Sequence, residues 1–387
     1  MATAEKVAEK SAEKGKAGLE DVVATSSAIC YLDGERGVLA YCGYDIHDLA
    51  QQATFEEVCY LLWHRRLPTR AELGDLQSQL AAARALPEPI IRLMRSLPPV
   101  EGMDALRTIT SALGHYDREA NDASRQAQYR KAVRLTAQTG TIVATWGRMQ
   151  AGGGPIAPDP AMGHAANFLY MLTGDRPNAT AVRAFDVALT LHADHELNAS
   201  TFAGRVAAAT LTDIYSAVVA AIGTLKGPLH GGANAEVMKM LIDLGETATG
   251  DRIDEFVKGK FARKEKISGF GHRVYKTEDP RATHLRQMSR EIGKRAGHPA
   301  WWDMSQRIEA LVKSEKKLYP NVDFYSASMY YTLGIPIDLY TPIFAVSRMS
   351  GWTAHILEQY ANNRLIRPRA DYTGPEYPQR FLPLEQR

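Results

Sequence analysis

Five short segments of this 387-residue sequence place histidine, arginine or aspartate where they could bind an anion or move a proton. The first is His192-Ala193-Asp194-His195-Glu196. Two histidines three apart on a helix could share a metal ion. The zinc-peptidase pattern, however, sets them four apart with glutamate directly after the first, and Ala193 stands in that place. No metal is expected. The alternative is two buried histidines satisfied by Asp194 and Glu196.

The second segment, Gly227-Pro228-Leu229-His230-Gly231-Gly232-Ala233-Asn234, puts glycines on both sides of His230, so backbone or ligand can come close to it. Asn234 is a suitable N-cap for a helix starting near Ala235. The positive end of that helix would disfavour an imidazolium, leaving a neutral histidine able to donate to a carbonyl turning into an enolate. A tight turn with an exposed histidine is the competing reading.

The third segment runs from Lys266 to Arg281 and includes Gly269-Phe270-Gly271-His272-Arg273. It lacks the third glycine of a dinucleotide fingerprint, which would fall at Val274. Lys264, Lys266, Arg273, Lys276 and Arg281 beside glycine-rich backbone suit a phosphate or carboxylate ligand, or else form a solvated basic loop. In Pro320-Asn321-Val322-Asp323, Asn321 can cap a helix and Asp323 then lies in its first turn, as a dipole partner or a proton-abstracting base. Last, Arg348 stands among Ile343, Phe344, Val346, Met349 and Trp352, where an unpaired guanidinium is costly, so it needs a carboxylate from the protein or a ligand.

The elements that must position these residues read as mostly helical. One hairpin is expected, with strands over 28–32 and 38–42 around the turn Asp33-Gly34-Glu35-Arg36-Gly37. Thr54-Phe55-Glu56-Glu57 and Thr69-Arg70-Ala71-Glu72 are capping-box patterns that open helices. Further helices are expected at about 104–114, 120–150, 161–173, 180–195, 201–223, 234–245, 282–296, 301–317, 322–333 and 339–364. The apolar stretch 202–225 contains Arg205 and Asp213, which a membrane span would tolerate poorly, so core or interface burial is expected.

Composition limits the partners. Lys plus Arg (46) nearly balances Asp plus Glu (44), so no global field directs the chain to nucleic acid or an anionic membrane. Cys30, Cys42 and Cys59 are too few and too irregular for a disulfide framework, which fits a reducing, cytoplasmic setting. Residues 1–17 repeat Ala-Glu-Lys without an apolar core and read as a solvated tail, neither a secretory signal nor an acid-poor presequence.

Taken together, these segments resemble the citrate synthase family. The run from Gly269 to Arg281 matches that family's signature without a departure, and the resemblance continues through 192–196, 227–234, 320–323, Ser347-Arg348 and Arg367-Pro368-Arg369. It covers roughly residues 18–387.

The resemblance implies a mainly α, two-domain helical fold with a short N-terminal β-hairpin. A large domain (18–226 with 329–387) would carry a small domain (227–328) that closes over the active site. It implies a homodimer, condensation of acetyl-CoA with oxaloacetate followed by hydrolysis of citryl-CoA, and no metal or prosthetic group.

By the same resemblance Asp323 is the base, His230 the donor to the thioester oxygen and His272 the residue polarising the oxaloacetate ketone. His195, Arg281 and Arg348 bind oxaloacetate, with Arg367 reaching from the other subunit. Of the two histidines at 192 and 195, the motif selects His195. Glu265, Lys266, Ile267, Ser268 and Gly269 correspond to part of the coenzyme A site. Two alternatives remain: a 2-methylcitrate synthase acting on propionyl-CoA, and a non-catalytic helical dimer with an anion-binding cleft.

Overall fold

The turn chemistry at 33–37 closes a hairpin in the computed structural model, which describes residues 17–19 and 22–387. Asp33 Oδ1 accepts from the amides of Glu35 (3.1 Å) and Arg36 (3.0 Å), and Gly37 takes a φ of 66°. Strand β1 (Cys30–Asp33) pairs antiparallel with β2 (Val38–Tyr41) in the register Cys30 to Tyr41 and Asp33 to Val38. A two-residue β3 (Tyr44–Asp45) adds to β2. The hairpin tip lies against the loop at 274–278. Lys276 N donates to Gly34 O at 2.9 Å, and a Cβ on Gly34 would stand 2.2 Å from Val274 O, so only glycine fits there.

Sixteen α-helices follow among the described residues. Asp45 caps α1 (Ile46–Gln52), and Thr54 and Thr69 close the expected capping boxes with Glu57 and Glu72 at the starts of α2 (Phe55–His64) and α3 (Arg70–Ala83). Next come α4 (Glu88–Ser96), α5 (Gly102–Leu113), α6 (Arg125–Gln150), α7 (His164–Thr173) and α8 (Ala179–His192). The helix expected over 201–223 is two, α9 (Ala199–Ala208) and α10 (Ile214–Leu225). Asp213 breaks the run by accepting from Ser216 N as a new N-cap. Helices α4 and α12 (Gly250–Ala262) were not expected, and each buries only two residues.

The remaining helices are α11 (Ala233–Leu244), α13 (Pro280–Ala296), α14 (Ala300–Lys316), α15 (Val322–Thr332) and α16 (Tyr340–Ala361). Helix α11 starts earlier than expected. Gly232, at φ 93°, is its N-cap, and Asn234 is already inside the first turn.

Helix α16 is the axis of the core. It is apolar nearly all round and packs on α2, α5, α6, α8, α9, α10 and α11, as a helix without a polar face must. Trp352, Tyr330, Phe185 and Phe168 are fully buried, each side chain contributing roughly 1.5–3 kcal/mol by leaving water. Helix α13 lies along α15 and also meets α8 and α1.

Two carboxylates are buried where α2 begins. Asp186 accepts from Phe55 N (3.1 Å) and Glu56 from His164 N (2.7 Å). Burial, then the neighbouring Glu56 charge, pushes the Asp186 carboxyl up to about 7.

The chain forms two units. Ser27–Arg364 holds all the strands and α-helices of the described residues, and the other consists of Met1–Ser26 with Leu365–Arg387. The second unit's described residues are mostly without regular structure, with single 3-10 turns at Ala17–Leu19 and Leu384–Gln386. Apart from Ala17, the expected N-terminal tail lies outside the described residues. No described helix is long and apolar enough to cross a membrane.

Candidate active site

Helix α8 ends at His192, and the turn after it is held from several sides. Tyr41 OH accepts from Asp194 N (3.3 Å) and donates to Asp194 O (3.0 Å). Asp194 Oδ2 accepts from Glu196 N, whose residue sits at φ 53°. His192 donates through Nδ1 to Ala188 O at 2.7 Å, and burial lowers its pKa to about 3. His195 is buried with Nε2 3.1 Å from Tyr275 OH. Burial first, then Arg281, His272 and Arg348, lower its pKa well below the usual value. The expectation that Asp194 and Glu196 satisfy these two histidines is not met, because Asp194 instead faces His355.

Arg348 projects from α16 to this turn. Its Nε donates to His192 O at 2.7 Å, and its guanidinium carbon stands 4.7 Å from the Phe344 ring centroid. It is 1% exposed, yet no carboxylate among the described residues lies within ion-pair distance. Burial lowers its pKa to about 10, with Asp194 opposing.

The segment around Gly269 is zipped to the residues before α15. Asn321 N donates to Gly269 O (2.9 Å), Gly271 N to Tyr319 O (2.9 Å) and Asn321 Nδ2 to Gly271 O (3.0 Å). Gly269 is at φ 83°, and a Cβ there would stand 2.8 Å from Phe324 and Val237 side-chain atoms. Asn321 also caps α15, as expected, accepting from Asp323 N at 3.0 Å. One asparagine therefore ties the His272 loop to the turn that carries Asp323.

Both histidines in this region have a defined tautomer. His272 Nδ1 accepts from Val274 N (3.0 Å) and Tyr275 N (3.2 Å), so the ring proton is on Nε2. His230 Nε2 accepts from Ser200 N (3.2 Å) and lies 2.8 Å from Ser200 Oγ, so its proton is on Nδ1. Trp352 Nε1 donates to the same Ser200 Oγ at 3.2 Å. Burial, aided by Arg281 at His272 and by Arg348 at His230, lowers both pKa values to about 4. Each ring is neutral at pH 7 and keeps one free N–H donor.

Asp323 differs from its neighbours. Burial pushes its carboxyl up to about 6 although Arg281 and Arg348 pull it down, and its carboxylate accepts no hydrogen bond from the described residues. Arg281 is held by Asp279, which accepts from its Nε (2.9 Å) and Nη2 (2.7 Å) as well as from Val322 N (3.2 Å). Two of the donors expected for a substrate carboxylate are thus already paired.

The charge of Arg348 acts on His195, His230 and Asp323, and that of Arg281 on His195, His272 and Asp323. The His195 and His272 ring centroids are 5.2 Å apart. These six residues are therefore close enough to feel one another's charge. Beside His272 a cleft of about 230 Å³ is lined by Tyr275, Lys276, Lys317 and Tyr319 among others, but not by Asp323, His230 or Arg348.

In the segment expected to meet coenzyme A, Lys266 is exposed, Ile267 and Gly269 are buried and Ser268 is half-buried. Glu265 is exposed and paired with Arg263 and Lys260, whose hydrogen bonds hold its carboxyl down at about 2. Arg367 is exposed and belongs to the smaller unit. Among the described residues no three His, Cys, Asp or Glu side chains converge as metal ligands.

Sequence reasoning missed Asp279, Ser200, Trp352 and His355 as partners of these groups. For Asp279 a signal existed, since Asp-Pro-Arg reads as N-cap followed by proline at the first helical position. For the others the contacts join distant parts of the chain and leave no local pattern.

Residues 18–369 match the family described as "Citrate synthase, C-terminal domain". The chain is 56% identical over 372 residues to "Citrate synthase 2" of Bacillus subtilis, covering 96% of this chain and 98% of that protein. It is also 43% identical over 369 residues to a 2-methylcitrate synthase of Mycobacterium tuberculosis, covering 95% and 92%. Among solved structures, citrate synthase from Pyrobaculum aerophilum superposes with a TM-score of 0.88 at 43% identity, covering 96% of this chain and 95% of that one. A Thermoplasma acidophilum citrate synthase in ternary complex with carboxymethyl coenzyme A and oxaloacetate gives 0.90 at 31% identity, covering 97% and 100%.

Proposed function

Because the chain belongs to the citrate synthase family, and so condenses acetyl-CoA with oxaloacetate and water to give citrate and coenzyme A, we propose how its own residues divide that work. The Asp323 carboxylate removes a proton from the acetyl methyl while His230 donates Nδ1–H to the thioester oxygen, giving the enol. An ordinary aspartate is far too weak a base for this carbon acid. Its raised pKa narrows the gap, and a positioned donor in a water-poor site is worth about 3–4 kcal/mol in comparable oxyanion sites.

The enol carbon then attacks the oxaloacetate ketone: the enol O–H proton returns to His230 Nδ1 as the thioester carbonyl re-forms, and the ketone oxygen takes the proton of His272 Nε2–H as the new carbon–carbon bond forms. His195, Arg281 and Arg348 orient oxaloacetate, Arg348 with its unpaired fork on a carboxylate. Water finally cleaves the citryl thioester, releasing coenzyme A as the thiol. The observation that carries this reading is the combination of two neutral histidines, each with one free N–H, with a carboxylate and an arginine that have no ion-pair partner among the described residues.

The same reading takes 265–269 as part of the coenzyme A site and 227–328 as a small domain closing over both substrates, with 18–226 and 329–387 as the large domain. The working protein is a cytoplasmic homodimer in which Arg367 of one subunit completes the oxaloacetate site of the other. The three free thiols fit a reducing compartment.

The test is oxaloacetate-dependent thiol release, with kcat/KM compared for acetyl-CoA and propionyl-CoA. A higher value for acetyl-CoA is expected. A higher value for propionyl-CoA would favour the second reading, 2-methylcitrate synthesis, which the Mycobacterium relative supports. One methylene in an apolar pocket is worth only about 1–3 kcal/mol, so some activity on both is expected. Folded protein without thiol release from either would sink the assignment.

A further inference from the structure

The hairpin tip meets the His272 loop through its two glycines. Gly34 O accepts from Lys276 N at 2.9 Å, and a Cβ on Gly34 would stand 2.2 Å from Val274 O and 2.9 Å from Val274 C. A Cβ on Gly37 would stand 2.7 Å from Thr277 Cγ2 and 3.2 Å from Glu278 O. Gly37 also needs its left-handed φ of 66°, whereas Gly34 has no left-handed φ, so an alanine at 34 is opposed by close approach alone. Asp33 shapes the turn between them by accepting from the amides of Glu35 and Arg36.

What Gly34 touches is the far end of the group that orients His272. Val274 C=O and Tyr275 N–H belong to one planar peptide unit and must move together. The oxygen rests on Gly34, and the N–H donates to His272 Nδ1 at 3.2 Å. The amide before it, Val274 N, donates to the same nitrogen at 3.0 Å, and the amide after it, Lys276 N, is fixed on Gly34 O. With two amides on Nδ1 the ring proton stays on Nε2. His195 and Tyr275 pack their rings against His272, with centroids 5.2 and 4.7 Å away, which holds the ring's place but not its tautomer.

We propose that Gly34 is a positioning residue for His272, 238 positions later in the chain: the hairpin tip fixes the Val274–Tyr275 peptide, and that peptide keeps Nε2–H as the donor offered to the substrate ketone. Gly34 itself touches no reacting atom. The inference rests on the reading of His272 as that donor. A side chain at 34 pushes on the peptide oxygen and tilts the N–H away from Nδ1. The ring can then carry its proton on either nitrogen, and only one of the two tautomers donates from Nε2.

The test is Gly34→Ala in the full-length protein, read by kcat and KM, by Tm, and by the 15N signals of the His272 ring at pH 7, which are those missing from His272→Gln. The parent is expected to show a bare Nδ1 and a protonated Nε2. In Gly34→Ala both nitrogens should move toward an intermediate, averaged position. Its kcat should fall about 10- to 100-fold, as a shift of up to about 1 Å in a catalytic group produces. The KM for acetyl-CoA should stay within about threefold, because ground-state binding is untouched. A glycine that serves packing alone would lower Tm and leave the ring signals where they were. If Gly34→Ala does not fold, Asp33→Ala loosens the same tip and should move the ring signals the same way, with a smaller loss of kcat. Glu35→Ala, an exposed side chain on the turn, should match the parent throughout.

Parent-like His272 signals in Gly34→Ala, or in Asp33→Ala where that variant stands in, overturn the inference. A loss in Glu35→Ala as large as in Gly34→Ala overturns the assignment to Gly34. His272→Gln separates the two levels. A parent-like kcat in that variant overturns the reading of His272 together with this inference. A low kcat there, beside a parent-like kcat in Gly34→Ala, overturns this inference alone.

Discussion

The turn at 192–196 with α16 and the loop at 269–275 with the start of α15 are built on opposite plans. In the first, charged and polar groups are buried and fixed by protein before any ligand arrives, including Tyr41 on Asp194, Arg205 on His355 and Arg348 on a backbone carbonyl. In the second, His272 and Asp323 are half-buried, each held from one side only. Backbone amides take His272 Nδ1 and an asparagine caps the turn of Asp323. The difference teaches a division of labour. Groups that hold a dianion can be rigid, whereas groups that exchange protons must keep one edge free for the reacting atoms.

The largest break of that contrast is expected from Asp323→Ala. Turnover should fall about 10²- to 10⁴-fold while oxaloacetate affinity changes little, as read by thiol release and calorimetric titration. Unchanged turnover would remove Asp323 as the base. Arg348→Ala should do the reverse, weakening oxaloacetate binding about 100-fold, because a buried charged contact to the dianion is lost. An unaltered dissociation constant would refute the clamp.

A smaller effect is expected from pH. Asp323 is raised to about 6, so the base is lost as pH falls through about 6, and kcat should drop roughly tenfold per unit below that. His230 and His272, lowered to about 4, stay neutral across this window and add no second limb there. A kcat flat down to pH 5 would contradict the assignment. The smallest effect is a control far from chemistry.

Asp186, raised to about 7, favours the folded state least when ionised, so its contribution is full at acid pH and is lost as pH rises through about 7. Asp186→Asn should therefore raise Tm at pH 8 more than at pH 5, with kcat unchanged. Equal shifts at both pH values would show that its ionisation does not matter to stability.

Local chemistry made much of this legible from sequence. Capping boxes at Thr54 and Thr69, the Asn321 cap and the 33–37 turn all rest on residues within a few positions of each other, and each formed. The same holds for the signature around His272. What escaped depends on distant partners or weak patterning. Asp194 seemed matched to its sequence neighbours, yet its histidine is 161 positions away. Helix α12 buries only Ile253 and Val257, too few for an apolar period to stand out. The break between α9 and α10 was hidden by continuous apolar residues, and a single capping aspartate outweighed them.

The hairpin has a consequence in time. Its tip meets the loop at 274–278, Tyr41 meets the turn after α8, and Ala28 N meets Glu358, 330 positions later. At roughly 5–20 residues per second, translation leaves β1 and β2 waiting roughly 20 s to a minute for their last partner. The first element made is thus among the last to be secured. A ribosome that stalls before α16 releases a chain whose opening strands lack their last partner.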